Sequence, residues 1–175
     1  FGIHGHNVTA AIQNSIYMPA QLANQTGEAS YIFSNGFFEA GLMHVMGLVI
    51  AIILFSKKED LKAVTKVGAP AMLFNIQEPL AFGLPIVLNP IYGIPFIIAP
   101  VVTTIVSYLS IKSGLVSPVI VASMPWTTPP IISGFLATGH ISGAILALVN
   151  IIISIVIYLP FVYAAERMEA KKYAE

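Results

Sequence analysis

The sequence predicts an all-α integral membrane protein, with transmembrane helices, re-entrant helical hairpins and one cytoplasmic amphipathic helix. The first observation is composition, because 57% of the 175 residues are hydrophobic and only 9% are charged. A soluble domain carries roughly 25% charged residues. The second observation is a set of apolar stretches about as long as a bilayer is thick. The third is a pair of proline-rich segments through which no straight helix can continue.

Composition also excludes several classes of protein. The formal net charge is zero, so no basic surface for nucleic acid is expected. The chain has no cysteine, which rules out disulfides, a thiolate metal site and a phosphocysteine of its own. We predict no metal and no cofactor. Because the chain opens at Phe1 without a charged segment before an apolar core, we expect a piece of a larger protein and not a signal peptide.

Three apolar stretches are long enough to cross a bilayer: residues 36–55, 91–110 and 141–165. Positive charge follows two of them, at Lys57–Lys66 and at Arg167–Lys172. Cytoplasmic loops carry an excess of lysine and arginine. We therefore expect the first and third spans to end in the cytoplasm and the middle span to run outward.

The first 35 residues are too polar to span a bilayer. We expect residues 1–20 to form a helical hairpin or the cavity-facing half of a broken helix, and residues 21–35 to form a polar loop. His4 and His6 make a His-x-His pair, which would need further donors to hold a metal. A hydrogen-bonded histidine in a polar cavity is the interpretation we adopt.

Residues 56–67 have the pattern of a short amphipathic helix. An apolar residue recurs every third position and a lysine every fourth, namely Leu61, Val64 and Val67 against Lys58, Lys62 and Lys66. Like charges four residues apart repel in an isolated helix. The pattern therefore favours anionic lipid headgroups as the neighbour of the basic face, and a solvated cytoplasmic surface is the alternative.

The segment Phe74-Asn75-Ile76-Gln77-Glu78-Pro79 places a carboxylate and two amides inside an apolar stretch. Pro79 prevents a continuous helix, and a broken backbone in a membrane needs protein or a polar cavity around it. An ionisable residue at such a break is a candidate functional residue. We predict that Glu78 lies at the tip of a re-entrant or discontinuous helix and faces a polar ligand. The alternative is a carboxylate in an interfacial loop.

Residues 117–139 form a second broken segment, because three prolines fall between positions 125 and 130. Trp126 lies among them and has two interpretations. Tryptophan is enriched at membrane interfaces, and its ring can also stack on a ligand. The residues alone leave both open.

Four short motifs occur along the chain, at Phe1–Gly5, Phe74–Pro90, Pro125–Pro129 and Tyr158–Phe161. In this order they resemble enzyme IIC of the bacterial phosphotransferase system, and are most similar to its lactose, cellobiose and diacetylchitobiose group. The family usually has asparagine where this chain has Gln77. The resemblance implies that residues 1–175 are the C-terminal, sugar-binding half, without the N-terminal domain through which family members form homodimers.

The resemblance further implies a multi-pass permease of the bacterial cell membrane that delivers a disaccharide for phosphorylation by enzyme IIB at the cytoplasmic face. Residues matching His4 and Glu78 lie beside the sugar hydroxyl that accepts the phosphoryl group, and both can assist its acceptance. Those matching Asn75 and Trp126 line the same pocket. A carboxylate suits sugar hydroxyls, and an aromatic ring suits the C–H face of a sugar.

Two other classes of protein remain as alternatives. In a proton- or cation-coupled secondary transporter, Glu78 and a histidine would bind the coupling ion. A non-transporting helical membrane subunit would bind no sugar. A requirement for phosphoenolpyruvate or for a proton gradient separates the first alternative from a phosphotransferase permease. The identity of the disaccharide stays open, because pocket shape selects among ring substituents.

Overall fold

The computed structural model contains helices and no strands in the part of the chain that it describes. This part comprises residues 5–34, 36–37, 44–84, 86, 89–121, 124–125 and 127–172. Seven helices lie within it: α1 (Gly5–Thr26), α2 (His44–Phe55), α3 (Glu59–Met72), α4 (Glu78–Gly83), α5 (Pro90–Lys112), α6 (Pro130–Thr138) and α7 (Ile141–Lys172). The all-helical class predicted from the sequence is confirmed.

Helix α7 is the centre of the bundle and packs against α2, α5 and α6. Its contacts with α5 run antiparallel: the Asn150 amide donates to Ser107 Oγ at 2.9 Å, and the Ser117 N–H just after α5 donates to Ser142 Oγ at 3.2 Å. Its contacts with α2 run parallel, because Gly47 faces Ser154 and residue 56 reaches residue 166. The middle apolar helix therefore runs opposite to the two others, as the charge pattern predicts.

Small residues let these helices approach closely. A Cβ added to Gly47 would lie 2.7 Å from the Ile155 amide nitrogen, and Gly134 of α6 meets Gly143 of α7 backbone to backbone. The hydrophobic effect does not favour association of helices within lipid, so van der Waals contacts between closely packed helices contribute much of the association free energy. The bundle has the contact chemistry of membrane helices.

Helix α5 buries its polar side and exposes its apolar side. Tyr92, Thr103 and Ser107 are buried. The exposed face carries large aliphatic side chains, namely Ile94, Ile97, Val101, Ile105 and Leu109. This distribution is the reverse of that on a soluble amphipathic helix and is the one expected where lipid is the solvent.

Helices α5 and α7 are long and apolar enough to cross a membrane. At a rise of 1.5 Å per residue, the 23 residues of α5 extend for about 34 Å, slightly more than the hydrocarbon thickness of a bilayer. The predicted span 36–55 lies partly outside the described residues. Its described helix, α2, is apolar and covers only 12 residues.

Of the two predictions for residues 1–20, a helical hairpin or half of a broken helix, the hairpin does not form among the described residues 5–34. Helix α1 passes through Pro19 and continues to Thr26, so it includes the first residues of the predicted polar loop. The predicted boundary near residue 20 is wrong because Gln21 and Asn24 are buried and hydrogen-bonded by the rest of the chain. Both amides donate to the Val119 carbonyl, at 3.4 and 3.0 Å.

Helix α3 does form as an amphipathic helix, but its buried face differs from the predicted one. The buried residues are Thr65, Gly68 and Met72, whereas Val67 is 83% exposed. Residues spaced three apart do not stay on one face of a helix with 3.6 residues per turn. The face of α3 that packs against α4 includes Gly68, which lies beside Leu80. Val67 of the predicted apolar face is therefore exposed, whereas Val64 of the same face lies beside Gly83 of α4.

Candidate functional site

The segment that the sequence singles out is a helical hairpin made by α3 and α4. A Cβ added to Gly68 would lie 2.6 Å from Leu80 Cδ2, and one added to Gly83 would lie 2.9 Å from Val64 Cγ1. Later residues of α4 thus meet earlier residues of α3, so the two helices run antiparallel. Leu80 is fully buried and anchors the hairpin in the core of the bundle.

Asn75 stops α3 at the tip of this hairpin. Its φ is +67°, the left-handed region that few residues other than glycine adopt. The Ile76 N–H donates to the Ala71 carbonyl and the Asn75 N–H to the Met72 carbonyl, each at 3.1 Å. These bonds form a Schellman motif, which usually takes glycine or asparagine at the left-handed position. Asn75 therefore has a structural role that the sequence analysis missed, although an asparagine at the end of a helical pattern signals it.

Glu78 is the first residue of α4 and lies three positions beyond Asn75. The Gln77 carbonyl before it accepts from the Leu80 and Ala81 N–H groups, at 3.1 and 2.9 Å. Pro79 fits the first helical turn, where its missing N–H has no role. The predicted helix break at Glu78 is confirmed. Glu78 is partly buried and does not belong to the buried core of the bundle.

Gln77, where the family usually has asparagine, precedes this helix as its N-cap residue. Its side chain makes no capping hydrogen bond to α4. The local backbone therefore does not depend on its amide, and the longer glutamine side chain disturbs no contact of the helix start.

Both ends of the hairpin segment lie at the same end of the bundle, where Glu166 of α7 connects them. The Glu166 carboxylate accepts from Ser56 Oγ at 2.5 Å and from the Lys57 N–H at 2.7 Å. It also acts electrostatically on Tyr92, at the start of α5. The chain enters and leaves the hairpin from one end, which is the arrangement predicted for a re-entrant element.

Aromatic side chains surround the tip and were not singled out from the sequence. Phe74, next to Asn75, is 53% exposed, and Phe82 is 69% exposed. Phe82 follows Glu78 by four residues, so the two share one face of α4. The spacing of four residues between Glu78 and Phe82 is visible in the sequence, and helical periodicity would have predicted that the two side chains share a face.

The other two predicted site residues, His4 and Trp126, lie outside the residues that the structure describes. Among the described neighbours of position 126, the Thr128 N–H donates to the Pro125 carbonyl at 2.9 Å. Earlier in the same segment, Val119 accepts from α1 and the Ile120 N–H donates to Ala137 of α6 at 2.9 Å. Across the described residues, no group of three or more His, Cys, Asp or Glu could hold a metal ion.

A bundle with a lipid-compatible exterior, and a helical hairpin that carries a carboxylate at its tip, has the architecture of a membrane transport protein. The family comparison is more specific. Residues 1–100 match the family model described as phosphotransferase system, EIIC. The chain belongs to this family, as its motifs predict.

Relatives and a solved structure agree with this assignment. The chain is 36% identical to the oligo-beta-mannoside-specific EIIC component of Bacillus subtilis, over 100% of this chain and 42% of that protein. It is 39% identical to the cellobiose-specific EIIC component of Lactococcus lactis, over 97% of this chain and 40% of that protein.

The crystal structure of the transporter ChbC, the IIC component from the N,N'-diacetylchitobiose-specific phosphotransferase system, superposes with a TM-score of 0.90. The match has 34% identity and covers 99% of this chain and 43% of ChbC. The chain thus spans about two fifths of the length of the relatives it matches.

Proposed function

We propose that this chain is the sugar-binding part of a phosphotransferase permease that translocates a disaccharide of the cellobiose, lactose and diacetylchitobiose class. The observation that carries the proposal is the hairpin tip, where Asn75 and Glu78 share one turn between two helices. The names of the relatives support the substrate class, since they include cellobiose- and lactose-specific components.

The tip has the chemistry that a disaccharide requires. Sugar hydroxyls are donors, and a carboxylate accepts from them through short, charge-assisted bonds. The Asn75 amide both donates and accepts, so it can complement a hydroxyl that is already bonded to Glu78. The exposed rings of Phe74 and Phe82 offer apolar surface next to these polar groups, which suits the C–H faces of a pyranose.

His4 and Trp126 complete the proposed pocket. Trp126 stacks on a sugar ring, and His4 lies with Glu78 beside the hydroxyl that accepts the phosphoryl group. The chain has no cysteine to carry a phosphoryl group, so the donor is enzyme IIB, docking at the cytoplasmic face. We further propose that the whole transporter is a multi-pass protein of the bacterial cell membrane and forms a homodimer through a domain outside this chain.

A proton- or cation-coupled secondary transporter is not favoured, because the family model and the two relatives described above are named as components of the phosphotransferase system. Transport assays separate the two mechanisms directly. Uptake by the phosphotransferase route needs phosphoenolpyruvate and survives a protonophore, whereas proton-coupled uptake stops when the gradient collapses.

The decisive experiment is equilibrium binding of a disaccharide panel to the purified full-length protein and to its Glu78→Gln variant. Glutamine keeps the size of the side chain and removes its charge. A hydrogen bond to a charged group contributes about 1.5–3 kcal/mol, so affinity should fall at least about tenfold. Membrane insertion and the elution profile of the protein should not change.

Glu59→Gln is the matched control. Glu59 begins the same hairpin at its opposite end and pairs with Lys62 at 3.3 Å on the surface. Exposed ion pairs contribute little, so this variant should bind sugar as the parent does. Unchanged affinity in Glu78→Gln would refute the assignment of Glu78 to the sugar, and equal losses in both variants would point to a general charge effect.

A further inference from the structure

A basic cleft lies at the end of the bundle where Glu166 joins the hairpin to α7. Its volume is about 570 Å³, and it is lined by Lys57, Lys58, Tyr163, Glu166 and Arg167. The residues come from two places far apart in sequence, the α2–α3 connection and the last third of α7. The cleft is separate from the hairpin tip, because it lies at the opposite end of α3 from Asn75 and Glu78.

The cleft has an excess of positive charge. Three of its lining residues are cations and one is a carboxylate. The Glu166 carboxylate already accepts from the Ser56 hydroxyl and from the Lys57 backbone. These bonds hold the connection between α2 and α3 in place without using the lysine side chain. The cleft is therefore suited to an anion that bonds to ammonium and guanidinium groups.

The surface beside the cleft is apolar on its α2 side. Leu54 and Phe55 occupy the last turn of α2 and are 66% and 41% exposed. Tyr163, 42% exposed, presents a ring with a polar end. Aromatic rings of this kind lie at the headgroup level of a membrane. Exposed apolar side chains at the end of α2 are thus followed in the chain by Lys57 and Lys58, which line the cleft together with Tyr163.

From this juxtaposition we propose that the cleft binds the phosphate headgroup of an anionic phospholipid, with Lys57 and Arg167 contacting the phosphate and Leu54 and Phe55 contacting an acyl chain. Basic pockets between helices on the cytoplasmic side are suited to such headgroups. The bound lipid would link the base of the hairpin to α7. A free phosphate ion could use the same cations but not the apolar surface.

The test compares lipid retention by native mass spectrometry after purification from nanodiscs of phosphatidylglycerol or phosphatidylcholine. The parent protein should retain phosphatidylglycerol selectively. Lys57→Gln combined with Arg167→Gln should lower that retention about 30-fold, the effect expected for two cations near an anionic surface. The charge-preserving pair Lys57→Arg and Arg167→Lys should retain the lipid.

The control is Lys112→Gln, which removes an exposed cation outside the cleft, at the C-terminal end of α5. It should retain phosphatidylglycerol as the parent does, and equal losses in the control would overturn the site. Melting temperatures in phosphatidylcholine nanodiscs, expected to be the same for all variants, exclude misfolding as the cause of a loss.

Three further results would overturn the proposal. The first is equal retention of phosphatidylglycerol and phosphatidylcholine by the parent protein, a result that can be obtained without any variant. Another is inorganic phosphate stabilising the parent in phosphatidylcholine as much as the lipid does, which would assign the cleft to a free anion. The third is a cleft variant that keeps its lipid but no longer binds phosphorylated enzyme IIB, which would make the cleft a protein-docking surface.

Discussion

Asn75 combines two roles that substitution can separate. Its left-handed backbone ends α3, and its amide is proposed to contact the sugar. Asn75→Gly keeps the backbone conformation, because glycine has no Cβ to clash there, and removes the amide. Asn75→Ala removes the amide but keeps a Cβ in the left-handed region, without the short polar side chain that lets asparagine adopt it, and an ordinary residue there costs about 1–2 kcal/mol.

The two substitutions should therefore differ in stability and agree in binding. The hairpin should tolerate glycine, since the Schellman bonds from Asn75 and Ile76 are made by the backbone at 3.1 Å each. The alanine variant should have a free energy of unfolding about 1–2 kcal/mol lower than that of the glycine variant. Both should weaken sugar binding about 2- to 10-fold, the equivalent of one hydrogen bond between neutral groups.

The assay pairs denaturant or thermal unfolding in detergent with equilibrium binding of the preferred disaccharide. If Asn75→Gly binds the sugar as tightly as the parent, the amide does not contact the ligand, and Asn75 is only a helix stop. If alanine and glycine are equally stable, the left-handed conformation assigned to this residue is wrong.

Three further predictions concern packing and the residues outside the described part of the chain. Gly47→Ala should destabilise the protein by about 1–3 kcal/mol, because the new Cβ would lie 2.7 Å from the Ile155 amide nitrogen of α7. Gly93→Ala is the control: among the described residues its Cβ would meet the Ile86 carbonyl at 3.5 Å, an ordinary contact distance, and thermal unfolding should not change. Trp126→Ala should weaken sugar binding and Trp126→Phe should largely preserve it; an equal loss in both would assign the role to the indole N–H. His4→Gln should slow phosphoryl transfer from enzyme IIB more than it weakens binding, since imidazole titrates near neutral pH, and a larger defect in His6→Gln would contradict this role.

The sequence alone was sufficient for the class of protein and for the position of the helix break. Few charges and long apolar stretches require lipid as the solvent. The helix break at residues 73–77 is determined by nearby residues, because Pro79 excludes a continuous helix and Asn75 tolerates the left-handed region. The EIIC family, which four short motifs along the chain predicted, is confirmed by the family comparison.

Contacts between distant residues decided what the sequence could not. Helix α1 continues past residue 20 because the buried amides of Gln21 and Asn24 donate to Val119, 98 and 95 residues away. The hairpin begins and ends at one end of the bundle because Glu166 accepts from Lys57, 109 residues earlier. A buried polar side chain needs a hydrogen-bond partner, and the hydropathy of the sequence does not identify that partner. The sequence predicts Glu78 at the tip of a re-entrant or discontinuous helix, but only the packed structure shows how α3 and α4 pair and creates the basic cleft at the base of the hairpin.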